Sequence, residues 1–269
     1  MSINQAHSHI LTHLQNTKSL TVSERWLSQF LTSVNASQRT IPLSALTQTA
    51  LFRILASDFT ESLSRSDSSA LLPADISDPA VQERRILGPV PVQVLDIDDI
   101  GSSLWSQVEA IERVERGEAI RGREIIRTVN VDDTPTEEHD RSTTNGSSNA
   151  NGANATVNRT TADPGSNTAG NGPHRLVLQD AAGTNVTAIE LKAIDGIGIG
   201  KLPIGAKMVL KNATVARGMV LLEPECVTLL GGKVEAADKA WKEGLKGRLV
   251  ARLEEMQVEG QNGDDRMEE

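Results

Sequence analysis

Apolar residues recur at helical spacing through the first 65 positions. Trp26, Leu27, Phe30, Leu31 and Val34 fall three and four apart, just after Thr21-Val22-Ser23-Glu24, which has the form of a capping box. Leu43, Leu46, Ala50, Leu51, Ile54 and Leu55 make a second stripe, with Pro42 at its entrance. A weaker helix spans residues 4–16. Short connections join the three, so the spacing predicts an N-terminal three-helix bundle over residues 1–65.

The period then changes. Residues 64–69 are polar and turn-like, and Leu71-Leu72-Pro73 opens a second unit. Pro91-Val92-Gln93-Val94-Leu95-Asp96-Ile97 alternates and predicts a first strand. Leu104, Trp105, Val108, Ile111 and Val114 return to helical spacing. Strands resume at residues 175–180 and 185–191, joined by an Ala181-Ala182-Gly183 turn, and continue at 207–210, 219–222 and 227–230. Gly231-Gly232 stops the last strand. A helix follows on Val234, Ala237, Trp241, Leu245, Leu249, Leu253 and Met256. Gly244 and Gly247 weaken it by about 1 kcal/mol each, so it depends on packing against the sheet. Short strands, a long insertion and a closing helix predict an α+β chain. Its second domain, residues 70–258, is an OB-fold β-barrel with an insertion after strand 1 at 98–173. Residues 259–269 form a flexible acidic tail.

Within the insertion, 22 of the 31 residues from 142 to 172 are Ser, Thr, Asn or Gly. Such a segment buries too little apolar surface to offset its ordering entropy, and disorder is expected there.

The formal net charge is −9, unevenly spread. Residues 73–141 carry −8, and residues 174–234, the later barrel strands, carry +2. That is a mildly basic surface inside an acidic protein, too weak to drive strong DNA binding by counterion release. Three Trp, three Phe and no Tyr leave few rings on which bases stack. The one cysteine, Cys226, lies on an apolar run and is expected to be buried. No charged-then-apolar leader opens the chain and no long apolar run occurs, so a soluble intracellular protein without membrane attachment is expected.

Catalytic signals are weak. Gly196-Ile197-Gly198-Ile199-Gly200-Lys201 lacks the spacing and the Ser/Thr of a phosphate loop, and Pro203 opposes a helix there; it reads as a strand connection. His9 and His13 stand four apart without a third ligand nearby. Asp96, Asp98 and Asp99 read as a strand end or as a weak cation site. Arg113, Arg116, Arg121, Arg123 and Arg127 alternate with Glu109, Glu112, Glu115, Glu118 and Glu124. That pattern fits a solvated helix laced with ion pairs, or a contact with DNA or a partner.

Several motifs resemble the RecQ-mediated genome instability protein 1 family. They are Ser23-Glu24-Arg25-Trp26-Leu27, Leu72-Pro73-Ala74-Asp75-Ile76-Ser77-Asp78 and Leu202-Pro203-Ile204-Gly205-Ala206-Lys207. Gly218-Met219-Val220-Leu221-Leu222-Glu223-Pro224-Glu225 and Leu229-Leu230-Gly231-Gly232-Lys233-Val234-Glu235 complete the set. Residues 202–235 are the most specific part, and the length resembles the short fungal form. The resemblance implies a nuclear, non-catalytic scaffold without cofactor or metal. Its implied partners are topoisomerase III and a RecQ-family helicase, in a complex that dissolves double Holliday junctions. It also implies that the insertion reaches the topoisomerase gate, a role that falls to residues 104–131.

The expected contact residues are Trp105, Arg113, Arg116, Arg121 and Arg123 on the insertion, with Pro203 and Lys207 on the barrel. Trp105 reads equally as a core residue. DNA binding, to single strands or junctions, is expected to be weak. The alternative is a stand-alone single-stranded nucleic-acid-binding OB protein, which needs a basic, ring-bearing groove.

Overall fold

The structure is a computed structural model describing residues 3–35, 41–118 and 172–264. Residues 1–112 and 169–269 form one unit, and residues 113–168 another, of which 113–118 are described. The disorder expected at 142–172, apart from the described Gly172, and the partner contacts expected at Arg121 and Arg123 lie outside the described residues.

Three helices, α1 (Ile3–Lys18), α2 (Glu24–Asn35) and α3 (Leu43–Leu55), appear where the apolar stripes place them. Ile10 and Leu14 of α1, Leu27 and Phe30 of α2, and Ala50 and Ile54 of α3 meet in one core. A one-turn helix missed in the sequence, α4 (Phe59–Ser62), completes that core with the fully buried Phe59. Asp58 caps α4 by accepting the Thr60 N–H at 2.7 Å. The segment before α2 is pinned to the end of α4 by the Ser23 N–H, which donates to the Ser62 carbonyl at 2.9 Å.

Eight strand segments follow: β1 (Glu83–Ile86), β2 (Val90–Asp99), β3 (His174–Asp180), β4 (Asn185–Glu190), β5 (Lys207–Leu210), β6 (Ala213–Ala216), β7 (Met219–Leu222) and β8 (Val227–Gly231). Their order in the sheet is β1-β6-β7-β4-β3-β2-β5-β8. The register reduces the eight to five bent strands. β1 and β2 are consecutive and run antiparallel along β6 and β5, with Ile86 opposite Ala213 and Val90 opposite Leu210. β7 and β8 do the same on the other side of β6 and β5. The parallel pairing of β4 with β7 closes the curl. Five strands in that ring are the OB arrangement. The insertion follows the first of them, β1 plus β2. Alternation marks that strand only from Pro91, and β6 lies between the strands predicted at 207–210 and 219–222, where no strand is predicted.

Inward positions fill the curl with Val92, Val94, Leu176, Leu178, Met208 and Leu222. The connection from β4 to β5 plugs one end with Ile194, Ile197, Leu202 and Ile204. Here the glycine-rich run forms turns, as its spacing indicated, and no helix opens there. Two buried carboxylates replace apolar residues at the ends of the inward rows. Asp180 accepts the N–H groups of Leu72, Ala182 and Thr184. Glu190 accepts from His174 Nδ1 at 2.6 Å and from the Ile194 N–H at 2.7 Å.

The closing helix is α6 (Glu235–Asp264). Trp241 donates from Nε1 to Asp96 at 2.5 Å, and Asp238 accepts the Ile204 N–H at 3.0 Å. Gly232, at φ 81°, stands where any Cβ would overlap the Leu55 carbonyl oxygen. This glycine therefore lets the barrel approach α3. Among the described residues no helix is long and apolar enough to cross a membrane.

Candidate functional site: the insertion root and its helix

The root of the insertion is built on the end of β2. Asp99 accepts the N–H groups of Gly101 at 2.8 Å and Ser102 at 3.1 Å, and the Ser102 hydroxyl at 2.7 Å. The Ile100 N–H donates to the Pro173 carbonyl at 3.0 Å, joining the outgoing and returning chains. A Cβ on Gly101 would lie 2.6 Å from the Cα of Gly172, so the two backbones touch.

From this root rises α5 (Leu104–Glu115). Leu104, Val108 and Ile111, spaced at i, i+4 and i+7, pack on Leu245, Leu249 and Leu253 of α6. Lys246 pairs with Glu112 at 3.4 Å. The packed stripe turns Trp105 outward, where it is 67% exposed. Of the two readings of Trp105, the core one is therefore excluded, and a large indole stands in solvent at the insertion root.

The other expected contacts fare differently. Arg113 is half-buried, and Arg116 is exposed and paired with Glu118 at 3.1 Å. Pro203 is half-buried beside the plug of the barrel. Lys207 is a correction: it is not a surface cation but fully buried. It alternates outward from the barrel, and that side of β5 is covered by the helical domain. Its Nζ donates to Gln93 Oε1 at 2.8 Å and lies 4.7 Å from the centre of the Phe59 ring. Gln93 Oε1 also accepts the Phe59 N–H at 3.0 Å, and Gln93 Nε2 donates to Asp58 at 2.9 Å. Burial pushes the Lys207 pKa down to about 8, against the opposing charge of Asp58. Burial tends to raise the Asp58 pKa, but hydrogen bonds from Thr60 and Gln93 and the Lys207 charge hold it below the usual carboxylate range. Lys207 is a structural node between helices and barrel.

The remaining sequence candidates also have structural roles. Asp96 holds Trp241, Asp98 pairs with Arg175 and with Arg252, and Asp99 braces the root. His9 and His13 stack with centroids 6.0 Å apart. No group of three metal-ligating side chains occurs among the described residues. Cys226 is buried, and burial raises its pKa, so the thiol is held in its unreactive form.

In OB folds the second and third strands commonly form the ligand face. Here those strands are β3 and β4, and their outward positions are Arg175, Val177, Gln179, Asn185, Thr187 and Ile189. They carry no aromatic ring, and their one cation, Arg175, is paired with Asp98. Period-two reading places these residues outward, but only the structure shows which outward surfaces the helices leave open.

Comparison with known proteins agrees with this architecture. Residues 14–62 match the model of the RMI1 N-terminal helical domain, and residues 72–245 match that of the RMI1 N-terminal OB-fold domain. RecQ-mediated genome instability protein 1 of Schizosaccharomyces pombe is 25% identical over 233 residues, covering 85% of this chain and 91% of the yeast protein. With both domain models matched in order, the chain belongs to the RMI1 family.

Proposed function

We propose that this chain is a nuclear, non-catalytic scaffold and regulator of a type IA topoisomerase III. It works beside a RecQ-family helicase in the dissolution of double Holliday junctions, and so in genome stability and DNA repair. The observation that carries the reading is the outward Trp105 on a helix bolted to the barrel. It offers a rigid apolar anchor of the kind that dominates protein interfaces. The ring-free outward face of β3 and β4 supports protein docking over single-strand binding.

The chemistry stays with the topoisomerase, which holds the cut strand. This chain supplies a surface that binds the open gate more tightly than the closed one. A ligand shifts such an equilibrium only by its differential affinity, and about 1.4 kcal/mol of preference changes the ratio tenfold. Because α5 is fixed by Asp99 and by Leu245 and Leu249, little of that preference is lost in ordering the element.

The test is strand passage by topoisomerase III with and without this protein. Deleting residues 104–131 is the wrong perturbation, since it would uncover Leu245 and Leu249. Trp105→Ala leaves the packed side of α5 intact. The expected result is an unchanged melting temperature and a loss of stimulation of at least about threefold, in line with removal of an interface anchor. Full stimulation by Trp105→Ala would refute the anchor role. Tight single-strand binding by the isolated chain, with no topoisomerase binding, would favour the stand-alone DNA-binding reading.

A further inference from the structure

Part of the barrel's outward surface lies outside every apolar cluster of the described residues. β2 is covered by α6 at Asp96 and Asp98 and by the α4 cap at Gln93. The ladder β3-β4-β7-β6 continues away from both covers. Its register assembles two outward rows. One runs Val177, Thr187, Met219, Ala216, and the other runs Arg175, Ile189, Leu221, Thr214. All of these residues are half-buried or exposed. None of the three apolar clusters contains Val177, Ile189, Met219 or Leu221.

The chemistry of the two rows selects an occupant. These eight positions hold aliphatic groups and small hydroxyls, no ring, and one cation that Asp98 already pairs, and beyond β6 the two rows run on to the exposed Glu83 and Arg85 of β1. Nucleic acid needs a cluster of cations for phosphate or rings for bases, and finds no ring and a single arginine at each end of one row, Arg175 paired with Asp98 and Arg85 one row from Glu83. Four strands span about 14 Å, and two rows add about 7 Å along the strands. That footprint, on the order of 100 Å² between side-chain centres, falls short of the roughly 800 Å² per partner of a stable dimer. It matches one helix, about 10 Å in diameter. Charges of both signs flank it, at Arg175 with Asp98 and at the exposed Lys192–Glu223 pair. Such a margin suits the polar edges of an amphipathic helix.

We infer that the outward face of β3, β4, β7 and β6 is a docking surface for one amphipathic helix of a protein partner, which lies with its aliphatic stripe on Ile189 and Leu221. This rests on the proposed function, so the partner to test is topoisomerase III. The surface would hold the partner continuously, while α5 meets its moving part.

The experiment measures the affinity of purified topoisomerase III for the full chain and for Ile189→Lys, Leu221→Lys and Ile189→Val. Hydrogen exchange of the wild-type complex is followed in parallel. The expected result is a loss of about tenfold or more in each lysine variant, near-normal binding by Ile189→Val, and slowed exchange in β4 and β7 on binding. If a lysine variant does not fold, the exchange footprint on the wild-type chain decides alone. Unchanged affinity, or no protection of β4 and β7 in a complex that does form, overturns the docking surface and leaves the proposed function standing. Failure of the wild-type chain to bind topoisomerase III overturns both. A 30-nucleotide oligothymidine that binds the wild-type chain and is lost in Leu221→Glu would reassign the face to nucleic acid.

Discussion

Lys207 gives the sharpest physical test of the fold. Its ammonium is fully buried, with one neutral acceptor, Gln93 Oε1, and the Phe59 ring beneath it. Its pKa is lowered by burial from 10.5 to about 8. The native state therefore releases this proton near pH 8, and the unfolded chain holds it until about 10.5. Between those values the unfolded state binds more protons, so stability rises with pH in this window. The slope is about 1.4 kcal/mol per pH unit, and a shift of that size totals about 3 kcal/mol. Below pH 8 both states are protonated and the contribution is flat. Lys207→Met keeps the length and apolar stem and removes the charge. The lost hydrogen bond and ring contact together cost about 1–3 kcal/mol, which offsets much of the relieved burial penalty at pH 7. The assay is urea unfolding of both proteins at pH 7, 8, 9 and 10. Taking the difference at each pH cancels Cys226 and the exposed lysines. That difference should move toward the wild type by about 2–3 kcal/mol between pH 8 and 10. A difference that stays constant across this range would refute a buried, charged Lys207.

Two glycine substitutions of opposite sign separate conformation from packing, and Trp105 separates surface from core. Gly247→Ala on the exposed side of α6 meets nothing within 4 Å and should add about 1 kcal/mol, or about 2–4 °C in melting temperature, read by calorimetry. Gly232→Ala combines a left-handed φ with overlap on Leu55 and should cost about 2–4 kcal/mol in urea unfolding. Trp105→Ala should shift the melting temperature by no more than about 1–2 °C, because the indole already faces solvent.

Much of this fold was legible in the chain because apolar periodicity survives wherever one side of an element is buried. α1, α2, α3, α6 and the long strands were readable in this way. β1 was not, because Glu83-Arg84-Arg85-Ile86 puts a single apolar residue inward and depends on its ladder with β6. β6 was hidden for a similar reason: Ala213 and Val215 are its only buried positions. Lys207 was misplaced because alternation gives the side of the strand and not what covers that side. Sequence motifs had marked it by position, and only α4 packed over β5 shows why a lysine there is structural. Trp105 was ambiguous because its neighbours Leu104 and Val108 share the same helical stripe, and the α6 contact decides which residues turn in.

The touching backbones of Gly101 and Gly172 have a consequence for how this family can change. With the ends of the excursion already fixed side by side, the barrel registers only that the loop closes and hardly how long it is. Closure entropy grows only with the logarithm of length, about 0.6 kcal/mol per doubling of a flexible loop, so length between two fixed ends weighs little on a barrel. Insertions and deletions there are close to neutral for the barrel's stability. A change of length there leaves Asp99, Gly101 and Gly172 free to hold the same doorway.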